Sequence, residues 1–207
     1  MNVGAVSSSV VLEILLRCVT VAALIRSAWL LVGLARVIPV HRRARITRWG
    51  LVEALTFLEL PVFLGLTGLL FVRAPAATPA SSLALPAAAL GALLALAGVG
   101  ISLWAIYTTV RRRVILDAGH FVKQEHALIT TGAYGFVRNP MYLGIILLWL
   151  GMAISSQSPL LLLVASGYVM PVLWLYTRAE ERMLASEFGV AFEAYCRCVG
   201  RLLPRLR

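Results

Sequence analysis

Long apolar runs divided by short basic stretches set the pattern of this chain. The first apolar run covers about residues 11–37 and carries Glu13, Arg17 and Arg26. Glu13 and Arg17 are four apart, so a helix brings them onto one face where they can pair. A second run covers about residues 49–72, with Glu53 and Glu59 inside it and Pro61 placed to kink it. Residues 74–82, rich in Ala and Pro, read as a loop. The third run, about 83–110, exceeds the roughly 20 residues a bilayer requires, so it is expected to tilt or protrude. Gly91, Gly98 and Gly100 within it point to close helix packing. Residues 142–154 and 159–176 are apolar again, with only Ser155-Ser156-Gln157-Ser158 between them. That spacing predicts a helical hairpin whose first arm is too short to cross unaided. Residues 177–197 continue as an amphipathic helix interrupted near Gly189.

Composition turns this pattern into a class. Of the 207 residues, 60% are hydrophobic, against roughly 45–50% in a soluble domain, and the mean hydropathy is +0.89. The expectation is an all-α integral membrane protein without a second soluble domain. The net charge of +10 would suit nucleic acid, but the arginines flank the apolar runs, as positive-inside topology requires, and no nucleic-acid partner is expected. Of nineteen Lys and Arg, five lie in residues 36–48, five in 111–138 and six from Arg178 onward. Five spans put all three groups on the cytoplasmic side, with the N-terminus outside and the C-terminus cytoplasmic. Residues 1–110 then form the first three transmembrane helices. Residues 111–207 form a C-terminal half with a cytoplasmic pocket.

Arg26 is a charge deep in a span, which is costly unless partnered. Counted from the expected cytoplasmic ends at a rise of 1.5 Å per residue, Arg26 and Glu59 lie at roughly 18 and 15 Å depth. An Arg26–Glu59 pair is therefore expected. The three cysteines form no C-x-x-C motif and indicate neither a disulfide framework nor a zinc site. Residues 1–10 contain no Lys or Arg, and no cleavable signal peptide is expected. Nothing in the sequence indicates an oligomeric state.

The longest stretch that is not apolar, residues 120–144, reads HFVKQEHALITTGAYGFVRNPMYLG. Gly132 and Gly144 permit positive φ or close backbone approach. Pro140 biases Asn139 away from α and should open a helix. The Arg138 side chain and the free N–H groups of that first turn would then point at one spot, suited to an anionic or electron-rich ligand. His120, His126, Asp117 and Glu125 match no metal-ligand spacing, and no metal is expected.

His126, Leu128, Thr130, Gly132, Tyr134, Arg138, Asn139, Pro140, Tyr142 and Gly144 stand in order here. Glu180-Glu181, Phe188-Gly189, Tyr195, Arg201 and Pro204 come after them. In this order and spacing, over about the last ninety residues, the chain resembles the isoprenylcysteine carboxyl methyltransferase family and the related phospholipid methyltransferases. The first half is similar by hydropathy alone. Asn139 replaces a family His, as in many bacterial relatives, and Phe192 replaces a family Tyr.

The resemblance implies a multi-pass bacterial inner-membrane enzyme that uses S-adenosyl-L-methionine (SAM). It implies that His126, Ala127, Leu128 and Ile129 hold the adenine and ribose. Tyr134, Asn139 and Tyr142 would lie beside the sulfonium, Pro140 and Met141 would also contact the cofactor, and Glu180 would bind the ammonium. Lys123 and Gln124 occupy a family polar contact, and Arg138 and Tyr142 are the candidate catalytic residues. Taken singly, His126 reads as a surface histidine, the tyrosines as interfacial belt residues, and Glu180 and Glu181 as helix partners of Arg178 and Arg182. Glu181 stays open between these readings. Arg201 and Pro204 read as fastening the tail over the pocket.

The acceptor would be lipophilic or small: a prenylcysteine-like carboxylate, a membrane lipid or a thiol. A carboxylate or thiolate needs no general base, whereas an amine must be deprotonated. Prenylcysteine enzymes carry an Arg one turn before the cofactor Glu, where this chain has Tyr176. The competing reading is an NADPH-dependent membrane reductase of the sterol reductase type, which looks similar in the C-terminal region.

Overall fold

A computed structural model describes residues 10–11, 13–14, 17–22, 24–25, 28, 58–59, 62–66, 68, 84–111, 116–117, 120–121 and 128–205. Four helices organise the C-terminal part: α1 (Ala84–Arg111), α2 (Pro140–Ser155), α3 (Pro159–Val164) and α4 (Met170–Cys198). A 3-10 turn, Gly132–Gly135, precedes α2, and a π turn, Ala165–Val169, joins α3 to α4. The described residues of the two N-terminal runs are helical as well. One feature departs from an all-α chain: β1 (Leu116–Asp117) pairs antiparallel with β2 (His120–Phe121), Asp117 opposite His120. Two residues separate the strands, the length of a tight hairpin connection.

Local chemistry explains the boundaries. α1 contains no charged residue before Arg111, and its Pro86 falls in the first turn, where a missing N–H costs nothing. α2 begins at Pro140, as its fixed φ favours, with Asn139 outside the helix at φ −125, ψ 62. It ends at Ser155, and Gln157 takes a positive φ of 50°. Ser158 then caps α3 by accepting from the Leu161 N–H at 3.3 Å, with Pro159 at the first helical position. Gly189 interrupts α4 at φ 49, ψ −122, where the sequence placed the break.

Among the described residues two helical stretches are long and apolar enough to cross a membrane, Leu85–Thr109 and Pro159–Cys198. The second is 40 residues long, about twice what a bilayer needs. Its apolar part ends at Tyr176; from Thr177 on it carries Arg178, Glu180, Glu181 and Arg182, too many charges for a hydrocarbon span.

The predicted hairpin forms, with α2 as its first arm, but α2 approaches α1 most closely. A Cβ on Gly98 would lie 2.5 Å from the Gly144 carbonyl oxygen, and one on Gly151 would lie 2.6 Å from that of Gly91. Backbone meets backbone at both crossings, the contact that small residues permit between membrane helices. Gly100, expected at the same seam, faces open space instead. It lies two residues from Gly98, and two steps on a helix turn a position to the opposite face. α2 also joins α1 and the second arm in one core: Leu148, Trp149 and Met152 belong to a cluster with Ala92, Ala95 and Val99 of α1 and with Leu161, Ala165, Val169 and Leu173.

Glu59 is buried, and the Trp149 indole N–H donates to its Oε1 at 2.6 Å. Phe63 meets the Trp149 ring edge-on at 5.1 Å. The expected partner of Glu59, Arg26, lies outside the described residues, as do Glu53, Pro61, Lys123, Gln124, His126 and Ala127. Glu13 and Arg17 pair as their spacing predicts.

Candidate functional site

The loop that leads into α2 is held from two sides. Gly132 takes φ +63, and a Cβ there would come within 2.8 Å of Thr108 Oγ1, so the 3-10 turn rests directly on the end of α1. Phe136 stacks near Trp104 of α1, with ring centroids 5.4 Å apart. From the other side, the chain after α4 runs alongside the loop. Val137 and Gly200 form a parallel bridge. The Arg138 N–H donates to Gly200 O at 2.8 Å, and the Asn139 N–H to Arg201 O at 3.0 Å. The Tyr195 hydroxyl donates to Tyr134 O at 2.6 Å. Tyr195, Phe192 and Val199 form a small core that Leu128 packs against.

Glu181 is the hub of this junction. Arg138 grips it with Nε to Oε1 at 3.0 Å and Nη2 to Oε2 at 3.3 Å. Arg201 donates to Oε2 from Nε at 2.9 Å and from Nη2 at 2.6 Å. Asn139 Nδ2 adds a bond to Oε1 at 3.0 Å. Burial alone would raise the Glu181 carboxyl, but the hydrogen bonds and charges of Arg201 and Arg138 more than offset it and hold it below the usual carboxylate range. Glu181 therefore pairs with the loop and the tail, not with Arg178 or Arg182 of its own helix. The Arg138 side chain spends its donors on Glu181 and on the carbonyls of Cys196 and Val199. It points into this clamp, away from the first turn of α2 where the sequence had aimed it. Arg201 does fasten the tail; Pro204 is exposed.

Glu180, one residue earlier, turns to another face. Tyr142 hydrogen-bonds its carboxyl, and Tyr134 lies within its electrostatic reach. Tyr176 meets the Tyr142 ring edge-on at 5.5 Å. Tyr176 and Glu180 are four residues apart on α4 and so share a face. The sequence marked Tyr176 only as standing where prenylcysteine enzymes carry an Arg; the structure makes it part of the tyrosine cluster beside Glu180. Among the described residues Glu180 Oε2 is buried without a hydrogen-bond partner. Burial pushes this carboxyl up to about 7, the Tyr142 hydrogen bond opposes that rise, and the neighbouring Glu181 charge adds to it. The Tyr134 hydroxyl is pushed up as well, by burial first and then by Glu180 and Tyr195, so it stays protonated at neutral pH.

Around the tyrosines, Asn139 and Pro140 are buried and Met141 is half-buried, its carbonyl accepting from Ser102 Oγ at 3.5 Å. Leu128 and Ile129 are half-buried at the loop's edge. A buried carboxylate oxygen without a donor, ringed by aromatic faces, suits a cation. An alkylammonium or a sulfonium fits that requirement; a phosphate or another carboxylate does not.

Neither a curated protein nor a solved structure matches the chain. A family model does: residues 86–191 match that of the phospholipid methyltransferases, from the first turn of α1 to just past the Gly189 break. That stretch holds all but the first two residues of α1, the 3-10 turn, Tyr142 and both glutamates, and the chain belongs to the phospholipid methyltransferase family.

Proposed function

We propose that the protein is an integral-membrane, SAM-dependent methyltransferase whose cofactor lies between the loop before α2 and the Glu180 face of α4. The observation that carries the reading is Glu180, a buried carboxylate with an unpartnered oxygen beside three tyrosines, inside the family-matched region. When bound, SAM would supply an electrophilic methyl group on a sulfonium: the acceptor's lone pair bonds the methyl carbon as the S–CH3 bond breaks, and the electron pair stays on sulfur as a neutral thioether. Glu180 binds the cofactor's ammonium. Tyr134 and Tyr142 offer π faces and hydroxyls to the cation. Pro140 and Met141 shape the wall beside them. Asn139 spends its amide nitrogen on Glu181 and Arg201 O, which leaves Oδ1 to face the cofactor. Leu128 and Ile129, with His126 and Ala127, flank the adenine and ribose, and Lys123 and Gln124 supply polar contacts. Arg138 acts as a positioning residue: it fixes the loop from which Tyr134 and Tyr142 project.

The family makes a lipid the first acceptor to test. It would enter from the bilayer, in a five-span topology with the N-terminus outside and the C-terminus cytoplasmic. The reductase reading draws no support from the family match.

Binding of labelled SAM to the purified protein tests the assignment. Glu180→Ala and Tyr142→Ala should each weaken binding by about tenfold or more, the loss of one charge-assisted contact. Glu187→Ala, an exposed change on the same helix, should leave binding intact. Equal losses from Glu180→Ala and Glu187→Ala would remove Glu180 from the site. pH gives a second reading. With its carboxyl at about 7, Glu180 is protonated below that value, so binding should strengthen as pH rises through it. The sign reverses for folding without ligand. A raised carboxyl favours the fold at low pH, and its contribution is lost as pH climbs through about 7. Glu180→Gln should flatten the binding profile; a profile unchanged by it would assign the titration elsewhere.

A further inference from the structure

A cavity of about 490 Å³ lies against α4 on the side turned away from Glu180. Arg178, Arg182 and Arg201 line it, together with the apolar side chains of Leu175, Ala185 and Phe192. None of Tyr134, Tyr142, Tyr176 or Glu180 does. Helix geometry explains the separation. Arg178 and Arg182 each stand two residues from Glu180, which turns them about 200° around the helix from it. The wall is strongly cationic in balance. Glu181 also borders the cavity but is already neutralised by Arg138 and Arg201.

The cavity also sits where the apolar part of the helix gives way to its charged part. Trp174 marks that level, with the Arg201 guanidinium 4.9 Å and the Arg178 guanidinium 5.5 Å from its ring centroid. An aromatic ring with arginines stacked on it, at the end of an apolar helix, is the setting of a lipid headgroup region. Leu175 at about the same level and Leu163, about three turns further into the apolar arm, are exposed, as acyl chains require.

We propose that this cavity binds the phosphate of an anionic glycerophospholipid, with Arg178 and Arg182 as its principal ligands and the acyl chains laid along the apolar arm of the helix. The lipid is a bound boundary ligand and not the methyl acceptor, because the helix stands between it and Glu180. Arg201 joins the site from its edge: Nε and Nη2 are committed to Glu181, which leaves Nη1 turned to other partners. Guanidinium is suited to this task, since its planar fork meets phosphate oxygens in pairs and sheds water readily. The bound lipid anchors α4 at the depth where its charged part leaves the hydrocarbon.

The test is lipid retention by the full-length protein, taken from nanodiscs of phosphatidylcholine with and without phosphatidylglycerol and read by native mass spectrometry. No SAM or acceptor is present, so the result does not depend on methyl transfer. The wild-type protein should retain phosphatidylglycerol over phosphatidylcholine. Arg178→Gln and Arg182→Gln should each lower that retention about fivefold, the factor expected for one basic contact to an anionic lipid surface. Arg197→Gln, an equal charge change on the same helix outside the cavity, should leave most of it. Equal losses from all three variants would show a diffuse basic surface and overturn the site. Displacement of the lipid by millimolar inorganic phosphate would show recognition of free phosphate and overturn the lipid assignment, as would equal retention of the two lipids.

Discussion

Glu181→Ala is expected to cost the fold more than any other single substitution around the site. The carboxylate receives five hydrogen bonds from three residues: two from Arg138, two from Arg201 and one from Asn139. The Arg138 and Glu181 side chains are only 12% and 8% exposed, so water cannot replace the lost partner. Removing one member of a buried ion pair costs about 3–5 kcal/mol, most of it the penalty of the charge left behind. Here two guanidinium groups are left, and Arg201, at 26% exposure, recovers part of its hydration. The loss should appear as a lower denaturation midpoint in detergent and a smaller monodisperse yield. Arg201→Ala should cost less, because Glu181 keeps Arg138 and Asn139. The pH dependence has a definite sign. A carboxyl held below its ordinary range contributes its stability at neutral pH and loses it only as pH falls through the lowered value. A midpoint for Glu181→Ala no lower than that for Glu187→Ala would show that the clamp does not support the fold.

Gly144→Val is the second large effect, and its cause is steric. A Cβ at Gly144 would lie 2.5 Å from the Gly98 carbonyl oxygen and would also overlap Ser102 Oγ. The first obstacle is backbone, so no rotamer change makes room and the two helices must separate. Overpacking of this kind costs about 1–3 kcal/mol and at times more. The damage should reach the proposed cofactor site as well, since Tyr142 lies two residues away on α2. Gly100→Ala provides the contrast. Nothing lies within 4 Å of that position, so replacing Gly by a better helix former should stabilise α1 by up to about 1 kcal/mol. Thermal unfolding of both variants, with SAM binding alongside, checks the pair. Similar behaviour of the two would mean the close approach is absent in the protein.

The features legible in the sequence were local in origin. Pro140 and Pro159 open their helices because proline fixes its own φ, Ser158 caps the second arm, and Gly189 breaks α4 because glycine alone readily takes the positive φ found there. Gly91 and Gly98, seven apart, lie on one face and pack as their spacing implies. Gly100 was misjudged by composition where helical phase would have excluded it. The site divides in the same way. The order of motifs brought Tyr142 and Glu180 forward, and the structure sets them in contact. The commitment of Arg138 to Glu181, a separation of 43 residues, has no periodic signature. Nor does the pairing of the loop with residues 199–201. Both arise from how the tail folds back after Cys198, which the hydrophobic pattern does not encode.

The π turn at Ala165–Val169 decides how the two ends of the long helix are phased. A π turn accommodates one residue more than an α turn, while the helix on either side keeps its direction. The apolar arm can therefore lose a residue there without rotating the helix beyond it. Gly167, exposed and with nothing within 4 Å of its Cβ position, is the natural place for such a deletion. Glu180 would still face Tyr142. One residue removed between Met170 and Tyr176 has no such slack and would swing Glu180 by about 100°, out of the ring of tyrosines. The site thus tolerates change in the length of the membrane arm on one side of Met170 and none on the other.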